Sequence, residues 1–174
     1  ADMLVKRLLI DAGDKELVHY EEARKLYRTE FDKDPFYKIQ HYPGMPETLK
    51  TLKQNGVKLG VCSNKPHEAA VKVVKRMFGD QVFDMVMGQS DSIRKKPAPD
   101  GPLKIAEAFG VLPEECMYLG DSGTDMQTGK AAGMYTVGVL WGYREKEELL
   151  KNGADALVES PEDILDLYEE KCSK

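Results

Sequence analysis

Apolar residues recur along this chain with two periods, and the change from one to the other divides it. Over residues 3–10 and 15–31 they fall at helical spacing. Leu4, Leu8 and Leu9 make one stripe, and Leu17, Tyr20, Ala23, Leu26, Tyr27 and Phe31 make another. Asp11-Ala-Gly-Asp14 interrupts them, with Gly13 placed as a helix stop and Asp14 as an N-cap. An aromatic loop from Asp34 closes on Pro43-Gly44 and reads as a boundary. Beyond it, short apolar runs alternate with helical patterns. Helices are expected at 46–55, 67–78, 100–109, 124–132, 145–151 and 161–171, and strands at 57–62, 83–87, 116–119, 135–140 and 155–158. Such alternation predicts an α/β fold, a doubly wound parallel sheet with right-handed crossovers. The expected division is a small helical piece, 1–42, and an α/β piece, 43–174.

Three of the predicted strands run into polar residues. In open α/β sheets, ligands bind at the carboxyl ends of strands. Strand 57–62 ends in Ser63-Asn-Lys-Pro66, where a hydroxyl, an amide and backbone N–H groups can hold a phosphate oxygen, or simply cap the next helix. Arg94-Lys-Lys-Pro-Ala-Pro-Asp100 leads into the helix at 100, and Lys95 or Lys96 can aim an ammonium into the same crevice, or lie on a solvated turn. Strand 116–119 ends in Gly120-Asp-Ser-Gly-Thr-Asp125. There Asp121 suits a hard, oxygen-seeking cation such as Mg²⁺, and the helix start behind it suits phosphate. The plainer alternative makes Asp121 a turn residue and Asp125 a first-turn acid.

Composition narrows the partners. The 174 residues carry a net charge of -5, with 41% hydrophobic and 32% charged residues, an ordinary globular balance. No basic block or aromatic–basic interleaving speaks for nucleic acid, no apolar run approaches membrane-spanning length, and no signal-peptide pattern opens the chain. Cys62, Cys116 and Cys172 are odd in number and widely spaced, which fits a reducing cytoplasm better than a disulfide framework.

Taken together, Ser63-Asn-Lys-Pro66, Lys96-Pro-Ala-Pro99 and Gly120-Asp-Ser-Gly-Thr-Asp125 resemble motifs II, III and IV of the haloacid dehalogenase (HAD) superfamily. The order matches, and so does the spacing, 33 residues from Ser63 to Lys96 and 25 from Lys96 to Asp121. The resemblance covers 43–174. Ser-Asn-Lys-Pro, the linker Tyr42-Pro-Gly-Met-Pro46 and Leu140-Trp-Gly-Tyr143 are most similar to the phosphoglycolate phosphatase-like branch, and 1–42 resembles part of its helical cap. The resemblance implies that Ser63 and Asn64 bind the transferring phosphoryl group. Lys96 would offset charge and hold the nucleophile, Asp121 would ligate Mg²⁺, and Asp125 would be a weaker or indirect ligand. It further implies Mg²⁺-dependent hydrolysis of a small phosphomonoester, 2-phosphoglycolate foremost, with small sugar phosphates and pyrophosphate as alternatives.

One part of the pattern is missing. The family's motif I, Asp-x-Asp-x-Thr, supplies the aspartyl nucleophile and a general acid–base at the end of the first strand. The nearest imitation, Leu8-Leu-Ile-Asp-Ala-Gly-Asp14, has Gly13 where the second Asp belongs and sits in a helical pattern. In the family this strand lies between the one ending at Ser63 and the one ending at Asp121. Strands sit about 4.8 Å apart, so its absence predicts a gap of about 9.6 Å between two unpaired inner edges. The expectation is a longer protein, with a segment of about 50 residues (a strand plus cap helices) ahead of Ala1.

Other readings are weaker. A response-regulator receiver has its acids first and its lysine last, the reverse of Ser63, Lys96, Asp121. A non-catalytic HAD-like module, lacking motif I, has no use for Lys96 and Asp121. A thiolate pair of Cys62 with His19, His41 or His67 conflicts with an apolar strand end, where cysteine is usually a small buried hydrophobe. His67 is expected in the first turn of its helix and Trp141-Gly-Tyr143 as packing. Arg24, Lys25 and Arg28 are expected on a solvated helix face.

Overall fold

The computed structural model describes residues 2–33, 36 and 39–172. Residues 34, 35, 37 and 38 of the aromatic loop lie outside the described residues, as do the side chains of Phe31 and Cys172. The chain divides between Ile39 and Gln40 into two compact units. The first is a helix pair, α1 (Asp2–Asp11) and α2 (Tyr20–Lys33), packed on each other. The second carries α3 (Met45–Gln54), β1 (Gly60–Pro66), α4 (His67–Phe78), β2 (Met85–Gln89) and α5 (Asp100–Phe109). It continues through β3 (Met117–Gly120), α6 (Gly123–Ala131), β4 (Tyr135–Val139), α7 (Lys146–Lys151), β5 (Ala156–Val158) and α8 (Asp163–Cys172).

Helix 15–31 starts late. The Asp14 carboxylate accepts the Val18 and His19 N–H groups, both at 2.9 Å, and closes a turn in which Leu17 has a φ of 55°. Asp14 thus caps this turn, and the helix begins at Tyr20. Strand 57–62 also shifts: regular pairing starts at Gly60 and continues, across a register break after Cys62, to Pro66.

Every ladder is parallel, as the βα alternation requires, but the sheet is in two pieces. One is β1-β2, the other β3-β4-β5. Among the described residues no strand pairs with the second side of β1 or of β3. These are the two strands that the missing motif I strand would separate. Apolar Leu119, on β3, is left 38% exposed.

The main core gathers Leu49 and Leu52 of α3, Leu59, Val137 and Val139 of β4, Val158 of β5 and Ile164 of α8. A second cluster joins Ala106, Tyr118, Ala132 and Met134, with Cys62 packed against it. Gly44 has a φ of 84°, a region that penalises residues with a side chain, and a Cβ there would lie 2.2 Å from Glu162 Oε1. The residue before α3 is glycine on both counts.

Candidate active site

The polar strand ends converge. Beyond Cys62 the β1 ladder breaks register, and Asn64 bonds across to the motif III loop. Its Oδ1 accepts the Lys96 N–H at 2.8 Å, and its Nδ2 donates to the Lys96 carbonyl at 3.3 Å. Asn64 therefore clasps the backbone of Lys96, and neither it nor Ser63 caps α4, whose N-cap is Pro66 with no side-chain bond. Ser63 Oγ accepts the Lys65 N–H at 3.2 Å, and no bond links it directly to Lys96 or Asp121.

Lys96, rather than the exposed Lys95, turns inward. Its Nζ donates to Asp125 Oδ1 at 2.6 Å and to the Cys62 carbonyl at 3.4 Å. The ammonium thus links Cys62, within β1, to the helix that follows β3. The loop behind it is tied by Arg94, which donates to Asp100 through Nε (2.9 Å), Nη2 (2.6 Å) and its own N–H (3.3 Å). The Lys96–Pro97 peptide is cis.

The Arg94 guanidinium holds the Asp100 carboxyl down, from its ordinary 3.8 to about 2. A depressed carboxylate adds stability above its unfolded value and loses it as pH falls through its folded one. Wild type is therefore expected to exceed Asp100→Asn in urea midpoint at pH 5, and the difference should vanish as pH falls from 3.8 to about 2. A difference that stays constant down to pH 2 would exclude this linkage.

Asp125 occupies the third position of α6, and Ser122 is the N-cap, accepting the Asp125 N–H and donating its hydroxyl to Asp125 Oδ2 at 2.5 Å. Both carboxylate oxygens are therefore engaged, by Ser122 and Lys96. Asp121 is different. Its Oδ2 accepts the Tyr143 N–H at 3.3 Å, and Oδ1 takes no hydrogen bond among the described residues. The chain passes close because residue 142 is glycine: a Cβ there would lie 2.2 Å from the Asp121 Cβ. Trp141 packs into the core and meets Tyr42 edge-on at 6.4 Å, whereas Tyr143 is 88% exposed. So Trp141 packs as expected, whereas the Tyr143 ring does not pack, and that residue meets Asp121 through its backbone N–H instead.

Burial pushes the Cys62 thiol up, Lys96 pulling the other way, so a thiolate is disfavoured. Burial also pushes the Tyr118 hydroxyl up, with Cys62 and Asp125 adding to it. His67 opens α4 as expected, and its Nδ1 accepts the Gly88 N–H at 3.4 Å. His41 bonds the Met77 carbonyl at 2.6 Å and His19 bonds Asp14 at 3.0 Å, so each histidine has a partner other than Cys62. In the helix pair Lys25 and Arg28 are exposed and Arg24 lies 3.4 Å from Glu21.

Among the described residues no three His, Cys, Asp or Glu side chains cluster as a metal site. The polar groups at these strand ends are the Ser63 hydroxyl, the Asn64 amide and the Lys96 ammonium, the last two bonded to neighbours, and the Asp121 carboxylate, one oxygen of which has no hydrogen bond among the described residues. A parallel α/β core presenting these at successive strand ends is a Rossmann-like hydrolase core. The chain belongs to the haloacid dehalogenase-like hydrolase family, whose model matches residues 2–139, and within it to the phosphoglycolate phosphatase-like branch. It is 33% identical over 149 residues to a phosphoglycolate phosphatase of Aquifex aeolicus, covering 86% of this chain and 68% of that protein. With the phosphoglycolate phosphatase of Escherichia coli it shares 34% over 124 residues, 71% of this chain and 49% of the relative. A crystal structure of a Lactobacillus delbrueckii subsp. bulgaricus protein assigned as a phosphoglycolate phosphatase superposes with a TM-score of 0.78 at 34% identity. That match covers 84% of this chain and 61% of the other. The chain thus spans about half the length of the Escherichia coli relative. Among the described residues no helix is long and apolar enough to cross a membrane.

Proposed function

We propose that this chain acts in a Mg²⁺-dependent, cytoplasmic phosphatase of small phosphomonoesters, with 2-phosphoglycolate the leading substrate. The observation that carries this reading is that Lys96 joins Cys62 of β1 to Asp125 of α6, across the break between the two sheets. In this reading an upstream strand ending in Asp-x-Asp fills the gap, pairs with β1 and β3 and covers Leu119. Its first carboxylate attacks phosphorus, and an aspartyl-phosphate is then hydrolysed. Ser63 and Asn64, with neighbouring N–H groups, hold the phosphoryl oxygens, and Lys96 offsets their charge. Residues 1–42 are part of the helical cap in this reading.

Asp121 suits a hard cation by its chemistry and by its free oxygen. Asp125, committed to Lys96 and Ser122, acts by positioning Lys96 rather than by direct ligation. Charge neutralisation at the phosphoryl oxygens is what Mg²⁺ contributes when bound. The similarity to phosphoglycolate phosphatases supports the substrate.

The test is hydrolysis of p-nitrophenyl phosphate and 2-phosphoglycolate by this chain, and by the chain extended through an amino-terminal Asp-x-Asp strand. Activity is expected in the extended chain, quenched by EDTA and lowered at least about 100-fold by Asp121→Asn. Hydrolysis indifferent to both would refute the metal reading. A folded, extended chain without activity would favour the second reading, a non-catalytic HAD-like binding domain, which rests on the absence of motif I from these residues.

A further inference from the structure

The turn bearing Asp121 is gripped from outside by α7. A helix start leaves its first N–H groups without intrahelical partners. Here the first of them, on Gly123, donates to Glu148 Oε1 at 3.2 Å. The same oxygen lies 3.6 Å from Arg144 Nε, and Arg144 directly follows Tyr143, whose N–H holds Asp121 Oδ2. One carboxylate on α7 therefore contacts both stretches that flank Asp121: the turn leading into α6, and the loop that crosses over its side chain.

The grip is built rather than incidental. Asn152, one turn further on, donates from Nδ2 to the Glu148 carbonyl at 2.8 Å and accepts from Gln127 Nε2 of α6 at 2.7 Å. Gly123 sits so tightly against this helix that a Cβ would lie 2.7 Å from Asn152 Nδ2 and 3.2 Å from Glu148 Oε1. Beneath, Leu149 is fully buried and fastens α7 to the core. The helix start that the sequence offered to a phosphate is thus already taken, in part, by a carboxylate of the chain itself.

We infer that Glu148 is a positioning residue for the metal carboxylate: its hydrogen bond to Gly123 and its pairing with Arg144 hold the Asp121–Asp125 turn so that the free oxygen of Asp121 stays available to a cation. Among the described residues no hydrogen bond or ion pair joins Glu148 to Asp121, Ser63, Asn64 or Lys96, so its action runs through the backbone. The inference rests on the reading of Asp121 as the metal ligand. Residues that orient a metal's ligands typically influence metal affinity by about 10–100-fold.

The test uses the full ¹⁵N-labelled chain as wild type, Glu148→Ala and Glu148→Gln. Two quantities are read: amide exchange at Gly123 without metal, and Mg²⁺ affinity from the shifts of the Asp121–Asp125 amides. Glu148→Ala is expected to speed Gly123 exchange and weaken Mg²⁺ binding about tenfold. Glu148→Gln keeps a carbonyl oxygen facing Gly123 and is expected to restore both towards wild type, a rescue that a merely disrupted helix would not give. Unchanged exchange in Glu148→Ala overturns the grip itself. Faster exchange with unchanged Mg²⁺ affinity overturns the positioning role and leaves a purely structural bond. A wild-type chain whose Asp121 amide ignores Mg²⁺ removes the metal reading and this inference with it, and the exchange data then show separately whether the grip exists.

Discussion

Lys96→Met is expected to destabilise the chain by about 3–5 kcal/mol, the range for removing one partner of a buried ion pair. The pair is short and largely buried: Lys96 Nζ lies 2.6 Å from Asp125 Oδ1, and the two side chains are 16% and 10% exposed. Its attraction is opposed by the desolvation of both ions, so the intact pair contributes little net stability. Loss of the lysine is another matter. Asp125 keeps Ser122 but is left as a buried charge without a counterion, and the Cys62 carbonyl loses its donor as well. Lys96→Met/Asp125→Asn should therefore lose markedly less than the sum of the single variants, because each single change strands the other's partner. Urea denaturation of the four proteins gives the cycle. A single-variant cost below 1 kcal/mol, or strict additivity, would show that water screens the pair. Any catalytic loss in Lys96→Met must then be read at a temperature where the variant is folded.

Leu149→Ala is the second large effect, expected at about 2–5 kcal/mol. Leu149 is 0% exposed on a helix of only six residues, α7, which has little stability of its own. Its side chain lies over β4 at Gly138, where a Cβ would come within 3.0 Å of Leu149 Cδ1, so neither partner can relax far to fill the space. The cost is measured by thermal or urea unfolding. A loss under 1 kcal/mol would mean that the site collapses after truncation. The same substitution loosens the helix carrying Glu148, so its influence should extend to the Asp121 turn.

Much of the fold was legible in the sequence, and so was the candidate site, because its polar residues stand at strand ends, where an apolar run meets polar residues. Ser63 and Asp121 lie just past such a run, and Lys96 stands just before a proline-fixed turn. The division of the sheet was foreseeable too, since the pattern holds no strand to stand between β1 and β3. What a sequence does not show is which polar groups spend their bonds on one another. Lys96 and Asp125 are 29 residues apart, and no periodicity links a motif III loop to a helix after β3. Asn64 looks like a helix cap until its partner is seen to be the Lys96 backbone. Leu17 continues a helical stripe on paper, yet the Asp14 carboxylate takes the N–H groups that a helix would need. Glu148 gave no signal, because it lies among the charges of Glu145-Lys-Glu-Glu148 and its partner is a backbone N–H.

The two-piece sheet also bears on cooperativity. In an unbroken sheet, a central strand is hydrogen-bonded on both sides, and opening one half costs bonds in the other. Among the described residues no ladder joins β1-β2 to β3-β4-β5. What couples the halves is side-chain matter: the Lys96 bridge, Cys62 against the Tyr118 cluster, and the core shared by Leu59 and Val137. Contacts of that kind yield separately, so the halves have the makings of two opening units, each with its own free energy. A strand set between them would merge the two into one. In such a protein the residue that performs the chemistry would arrive on the same segment that makes the fold all-or-none.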